Sequence, residues 1–435
     1  MNNEDKNKLD FLGITLFSLG ILCNRWLIEN TVVSDKRIDS TFFIATISLF
    51  QALCLLLGVA LLRKESSINL LNKFRRAVGY EKNKTIYINR ALRFIGVLSV
   101  ASALCGFVWY WNVPLVRMFN LPESFSRRSG YFSVNIGGTV SKFAKEVRYR
   151  LNDAPWYKVS QGGLRASAPL FVIELAAEEL HPGANTLTLE ASAIGRPPQY
   201  FSRQFNYDSS PISLPVTKDW LNSDVENYDG CWEAFLYNGD RRVRPKPGFE
   251  GYDRILVVTG AFSAGRRIET DVIFRYKTTD GGEFIFGVLP LWGGHPDDVI
   301  HNGPRRGWNF SLVCYWNRYH GVGNEISYKL GKNPHDWVNS YRHVTLEAGV
   351  KYAIVVECWP ELNDNGRHLR YRQRSKWWKL GTTEPGTWLE LTDTAGAPIP
   401  SGEYGIALLA YNCQADFGPV IVKPLAELMP THSQM

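Results

Sequence analysis

Beyond about residue 117 this chain has no apolar stretch long enough to cross a bilayer, and it lacks most of the motifs that announce a chemistry. No C-x-x-C pair is present, which removes the commonest structural zinc sites. The nearest approach to a G-x-S-x-G nucleophile elbow, Gly260 to Gly265 around Ser263, has the wrong spacing. There is no P-loop and no G-x-G-x-x-G turn, so phosphoryl-transfer and hydride chemistry have no footing. Net charge is small as well: 49 Lys and Arg stand against 42 Asp and Glu. Much of the excess sits in one loop at 63–93, which argues against nucleic acid as a partner.

What the chain does have is three apolar stretches in its first quarter, Phe11–Ile28, Thr41–Leu62 and Phe94–Val116. The second and third are close to the ~20 residues a helix needs to cross the hydrocarbon core, and neither holds a formal charge. Asn24 and Arg25 interrupt the first, which spans if Arg25 snorkels to the interface. The loop at 63–93 is rich in Lys and Arg and opposed only by Glu65 and Glu81, the pattern of a cytoplasmic loop. The expectation is an α-helical anchor over residues 1–119, with transmembrane helices near 11–28, 41–62 and 94–116. The amino terminus would be cytoplasmic and residues 120–435 extracytoplasmic, a layout that suits a bacterial inner membrane facing the periplasm or the cell exterior. The first stretch lacks a basic start and a small-residue cleavage site, so it is expected to remain in place. Ser67–Val78 reads either as an amphipathic helix on anionic membrane lipid or as a solvated loop. Gln51 is the one conspicuous polar residue within the second stretch, with no acid–base relay to support transport.

From about Ser124 the pattern changes to short alternating runs of branched and aromatic residues, punctuated by Gly, Pro, Asn and Asp, which is the signature of an all-β region. YFSVNI, EVRYRLN, LFVIELA, NTLTLEASA and YFSRQFNYD fall within 124–210 with the spacing of a small sandwich. Ser209–Pro215 reads as a linker. A second block at 220–425 contains RILVVTGAF, RIETDVIFRYK, GEFIFGVLPLW, WNFSLVCYW, EISYKLG, HVTLEAG, KYAIVVECW, HLRYRQRSKWW and YGIALLAYN, enough strands for a two-sheet jelly roll.

Two resemblances accompany these runs. NDAPW followed by FVIELAAEELHPGANTLTLEA resembles the bacterial immunoglobulin-like domains that stand beside carbohydrate-handling modules. The order of Arg370-Tyr371-Arg372, Lys376-Trp377-Trp378, Glu384 to Trp388, Gly402 to Ile406 and Val420-Ile421-Val422 resembles the closing strands of concanavalin A-like lectin/glucanase sandwiches of the laminin-G-like type. RRIETDVIFRYK and GEFIFGVLPLWGGHPDD are similar to their early strands. The resemblance implies an immunoglobulin-like sandwich at 124–210 and a concanavalin A-like sandwich at 220–425. That architecture serves lectins, hydrolases, lyases and spacers alike.

Retaining glucanases of this fold carry E-x-D-x-x-E, with two carboxyls about 5–5.5 Å apart. Here Glu269 and Asp271 are followed by Phe274 where the second glutamate would stand, and the dyad is incomplete. The loop from Trp292 to His301 gathers His295, Asp297 and Asp298, which invites a glycan, or calcium through its oxygen ligands, but also reads as a plain polar turn. Trp292, Trp308, Trp337 and Trp359 stand beside Gly, Pro or polar residues and are expected to be exposed for stacking on sugar rings. Arg370 and Arg372 alternate with His368 and Arg374 along one strand, a ladder suited either to uronate or sulfated sugars or to protecting an edge strand. Cys231, Cys314, Cys358 and Cys413 allow three disulfide pairings or four buried thiols. The sequence thus points to an anchored, extracytoplasmic polysaccharide-binding protein without a cofactor. A lyase or hydrolase on the same fold and an envelope scaffold are the alternatives, and the oligomeric state is open.

Overall fold

The computed structural model describes residue 102 and residues 110–425, apart from 120, 142, 160–169, 252–253, 279–281, 296–306, 309, 318–323, 332–337 and 393–398. The chain divides into two compact units, Met1–Val113 and Pro114–Met435. The predicted spans at 11–28 and 41–62 lie outside the described residues, as does most of that at 94–116. Among the described residues no helix is long and apolar enough to cross a membrane. The end of the third stretch departs from the expectation. Leu115 and Val116 are buried in the core of a β-sandwich, and Val116 opens its first strand. A Pro at position 114 marks the change, because it disfavours helix at the residue before it and supplies no backbone donor.

That smaller sandwich is built from β1 (Val116–Met118), β2 (Ser124–Ser126), β3 (Val134–Val140), β4 (Ala144–Leu151), β5 (Tyr157–Lys158), β6 (Leu170–Leu175), β7 (Gly183–Ala193) and β8 (Gln199–Asp208). A three-stranded sheet, β1-β3-β6, packs on a five-stranded one, β2-β8-β7-β4-β5. All pairs are antiparallel except β2 with β8. Alternation decides the faces: in β7, Leu187, Leu189 and Ala191 are buried with Phe125, Phe171 and Phe205. The five runs expected here are β3, β4, β6, β7 and β8.

The larger sandwich begins with β9 (Val216–Lys218), β10 (Glu226–Asp229), β11 (Trp232–Tyr237), β12 (Asp240–Pro245), β13 (Arg254–Phe262), β14 (Arg266–Lys277), β15 (Phe284–Trp292) and β16 (Phe310–Asn317). It continues with β17 (Asn324–Gly331), β18 (Val338–His343), β19 (Lys351–Leu362), β20 (His368–Lys379), β21 (Leu389–Thr392), β22 (Tyr404–Tyr411), β23 (Cys413–Phe417) and β24 (Val420–Pro424). One sheet has the order β10-β13-β22-β15-β16-β17-β18. The other runs β11-β12-β23-β14-β19-β20-β21, with β24 on β14 and β9 on β24, nine strands in all. Beyond His343, which ends β18, HVTLEAG is not a strand. Its last residues turn at Gly349, whose φ is +78°, and Leu346 drops into the core from a loop.

The two sheets enclose one core, including Leu256, Phe286, Val313, Ile354, Leu408 and Phe417. The seven-stranded sheet is buried on its other face too, where Ile255, Leu289, Leu312 and Leu409 pack with Phe132, Tyr228 and Trp292. This explains why β13, β15 and β22 read as unbroken apolar runs, whereas β20, wet on one face, alternates. Cys231, Cys314, Cys358 and Cys413 are buried thiols. Burial pushes the pKa of Cys231 up to about 11 and that of Cys413 higher still.

The expected linker is packed. Ile212 and Leu214 lie against the larger core, and Arg127 donates to the Ser209 carbonyl at 3.2 Å. The segment after β2 seats directly on the larger sandwich. The Ala261 amide donates to the Arg127 carbonyl at 2.9 Å, and the buried Arg128 pairs with Glu226. Glycine permits this approach. A Cβ at Gly294 would lie 2.1 Å from the Tyr131 oxygen, and one at Gly260 would lie 2.6 Å from that of Arg127.

Candidate functional site

The sequence-predicted residues fall into two groups that the fold keeps apart. Trp292 is fully buried, packed edge-on against Tyr228 at 5.1 Å and against His295 at 5.4 Å. It is therefore a core residue rather than an exposed indole, because β15 is covered on both faces right up to its last residue. His295 is buried as well. Its Nδ1 meets the Gly307 carbonyl at 2.7 Å, fastening the two ends of the loop, and its Nε2 lies 3.5 Å from Asp229. Burial raises the pKa of the neighbouring Tyr228 phenol. Trp308 is half-buried on the same side. Asp297, Asp298 and Trp337 lie outside the described residues. Among the described residues no three His, Cys, Asp or Glu side chains converge on a metal position.

Trp359, Arg370 and Arg372 lie across the sandwich from these. Ile354, Val356 and Cys358 of β19 point into the core, so Glu357, Trp359 and Glu361 point outward. The outward residues of β20 are Arg370, Arg372, Arg374 and Lys376. Antiparallel register sets Glu361 opposite Arg370, Trp359 opposite Arg372 and Glu357 opposite Arg374. Each cation of the ladder thereby acquires a carboxylate. Arg370 binds Glu361 at 2.6 Å, Arg374 binds Glu357, and Lys376 binds Glu384 at 2.8 Å. Arg372 lies 3.6 Å from Glu390 of β21.

The network continues onto β14 and β24. Arg267 bridges Glu269 at 2.6 Å and Glu357 at 2.8 Å, and Lys423 reaches Glu269 at 2.7 Å. Burial pushes the Glu269 carboxyl upward, but hydrogen bonds from Lys423 and Arg267 outweigh it and hold the pKa below the ordinary value. Asp271 is held by Arg242 at 2.6 Å. Both acidic residues line the outward face, while Ile268 and Val272 face inward.

Indoles are set into this charged layer. Arg374 lies 4.5 Å from the ring centroid of Trp388 and 5.6 Å from that of Trp359, and Lys376 lies 4.5 Å from that of Trp388. Trp359, Trp378 and Trp388 are all half-buried. Chemically, the face offers flat apolar rings beside donors and acceptors already fixed in position. Arg374 belonged to the predicted basic ladder, whereas Trp388, Lys376, Glu357 and Glu390 were not among the predicted site residues. The signal was present in part: E-x-W-x-E in β19 stands against R-x-R-x-R-x-K in β20, joined by a turn at Asn363–Gly366. Trp388 and Glu390, lying past a further loop, had no such signal.

No protein-family description matches this sequence, and no curated protein does. Solved structures do. The exoplasmic/lumenal domain of VIP36 in its Ca2+/Man-bound form is 12% identical, covering 47% of this chain and 85% of that one with a TM-score of 0.33. A legume lectin-like domain from Entamoeba histolytica is 12% identical over 49% of this chain and 99% of its own, with a TM-score of 0.31. The carbohydrate binding module CBM66 from Bacillus subtilis is 10% identical over 46% of this chain and 95% of its own, with a TM-score of 0.27.

Proposed function

We propose that this chain is a membrane-anchored, extracytoplasmic carbohydrate-binding protein: a concanavalin A-like sandwich carried on an immunoglobulin-like one. Its glycan face is the outer face of the nine-stranded sheet. The observation that carries this reading is the setting of Trp359 and Trp388 on either side of Arg374, among carboxylates and guanidinium groups immobilised by one another. An indole covers the apolar face of a sugar ring, while hydroxyls meet the polar groups beside it. Groups held in place before binding lose little freedom when a ligand arrives, which favours affinity for a polymer with few strong contacts per unit. The three apolar stretches and the basic loop at 63–93 support the anchor and its orientation.

The test is affinity electrophoresis of the full chain in a polyoxyethylene detergent, which carries no sugar, through gels containing polysaccharides. Trp359→Ala and Trp388→Ala are each expected to weaken retention about two- to thirteenfold, the ~0.5–1.5 kcal/mol of one aromatic contact. Trp308→Ala, on the opposite face, is expected to leave it unchanged. Undiminished retention in folded Trp359→Ala and Trp388→Ala proteins would remove the assignment of this face.

A further inference from the structure

We infer that the polymer held on the outer face of the nine-stranded sheet is electrically neutral rather than a uronate or sulfated glycan; this rests on the reading of that face as a glycan site. Taken alone, the Arg ladder of β20 suits an anionic sugar. The tertiary structure cancels it. Every rung has its own carboxylate, and the compensation extends over the rest of the face. Arg275 pairs with Asp416 while lying 4.1 Å from the ring centroid of Tyr237. Arg244 pairs with Glu233 at 2.9 Å while lying 4.1 Å from that of Phe235. With Arg242 on Asp271 and Lys423 on Glu269, the cations of these pairs, among the described residues, exceed their carboxylates by only one.

Two physical consequences follow. Opposite charges within 4 Å of one another leave little field beyond a Debye length of about 8–10 Å, so an anionic chain is not steered toward this face. On contact, a sugar carboxylate would either displace a protein carboxylate from its guanidinium, stranding the displaced Glu, or take a remaining N–H donor and lie against the like charge of the carboxylate already paired there. Glu357, with a side chain 2% exposed, has nowhere to go. Neutral hydroxyls meet no such barrier. A guanidinium has five N–H donors and a carboxylate about four acceptor positions, and the pairs described here occupy only some of them. Hydroxyls can take those that remain without breaking a pair, while Trp359 and Trp388 cover the ring faces.

Matched polymers test this: hydroxyethylcellulose against carboxymethylcellulose, and dextran against dextran sulfate, with the full chain in the same detergent. Retention is expected on a neutral member at a concentration at least about tenfold below that needed for its charged counterpart, and it should persist in about 0.5 M sodium chloride, where screening is nearly complete. A variant carrying Glu384→Gln and Glu390→Gln removes two exposed carboxylates and should gain about threefold in retention on dextran sulfate. Equal or stronger retention of the charged member by the unaltered protein, lost in salt, would overturn the inference and leave carbohydrate binding standing. Absence of retention on all four polymers together with soluble β-glucan, xylan and galactomannan would overturn the parent reading and this one with it.

Discussion

The guanidinium of Arg374 lies 4.5 Å from the centroid of the Trp388 ring, and its Nε donates to Glu357, whose side chain is almost fully buried. One residue thereby ties three strands, because Glu357 belongs to β19, Arg374 to β20, and Trp388 immediately precedes β21. The pair is partly desolvated, unlike the rim pair of Arg372 and Glu390.

Removing the hub should therefore cost more than removing the rim. Arg374→Ala deletes a charge-assisted hydrogen bond and two ring contacts, and an expected loss of about 2–3 kcal/mol follows from those parts. Glu390→Gln, at an exposed pair, should lose no more than about 1 kcal/mol. Urea denaturation of both variants checks the ordering, and equal losses would show that the burial of Glu357 is immaterial.

Gly294 governs the junction between the sandwiches. Its φ of +89° and the 2.1 Å approach of the Tyr131 oxygen leave no room for a side chain. Gly294→Ala is expected to lift the segment after β2 and to speed tryptic cleavage after Arg127 and Arg128 at least about tenfold relative to the parent protein. The unaltered chain should resist cleavage there, since Arg128 is buried on Glu226. An unchanged cleavage rate in Gly294→Ala would refute the seat.

Arg266 is fully buried and serves backbone carbonyls in place of a carboxylate: Tyr404 at 2.8 Å, Phe262 at 3.0 Å and Ala264 at 3.1 Å. It links β14 to β22 of the facing sheet. Burial lowers its pKa from the ordinary arginine value. Arg266→Met keeps the bulk and strands the carbonyls, for which a loss of about 3 kcal/mol or more is expected at roughly 1–3 kcal/mol per buried unsatisfied group. A loss below about 1 kcal/mol in chemical denaturation would mean that those carbonyls find other donors.

Stability should fall in acid through Glu269. Because hydrogen bonds from Lys423 and Arg267 outweigh burial, its folded-state pKa lies below the unfolded one. Its contribution is thus complete above the ordinary glutamate value of about 4.3 and disappears as pH falls through the lowered folded value. Glu361, lowered by its hydrogen bond from Arg370, acts in the same direction. Denaturation midpoints between about pH 7 and pH 3 should decline less steeply for Glu269→Gln than for the parent. Parallel curves would count against the pairing.

Much of the fold was legible because β-structure with one wet face writes its period into the sequence. The alternation in β7, β14 and β20 marked strands and faces correctly. In β14 that period sets Glu269 and Asp271 on one face with an apolar one behind. The candidate site was legible only in halves. Trp359, Arg370 and Arg372, which lie on the proposed face, were among the sequence's candidates, yet nothing local distinguished them from Trp292 and His295, which the fold buries on the opposite side.

Local pattern alone determined that residues beyond about 120 form strands and which way most of their side chains point, because a period of two survives without reference to any neighbour. What covers each face, and which charge meets which, was decided by tertiary structure. Trp292 is core because Tyr228 and Phe132, distant in sequence, pack with the outer face of its sheet. The Arg ladder of β20 is neutral because antiparallel register lays the carboxylates of β19 and β21 beside it, and register is a relation between strands. Charge on a single strand is visible in its sequence, but its compensation depends on partners that only pairing supplies.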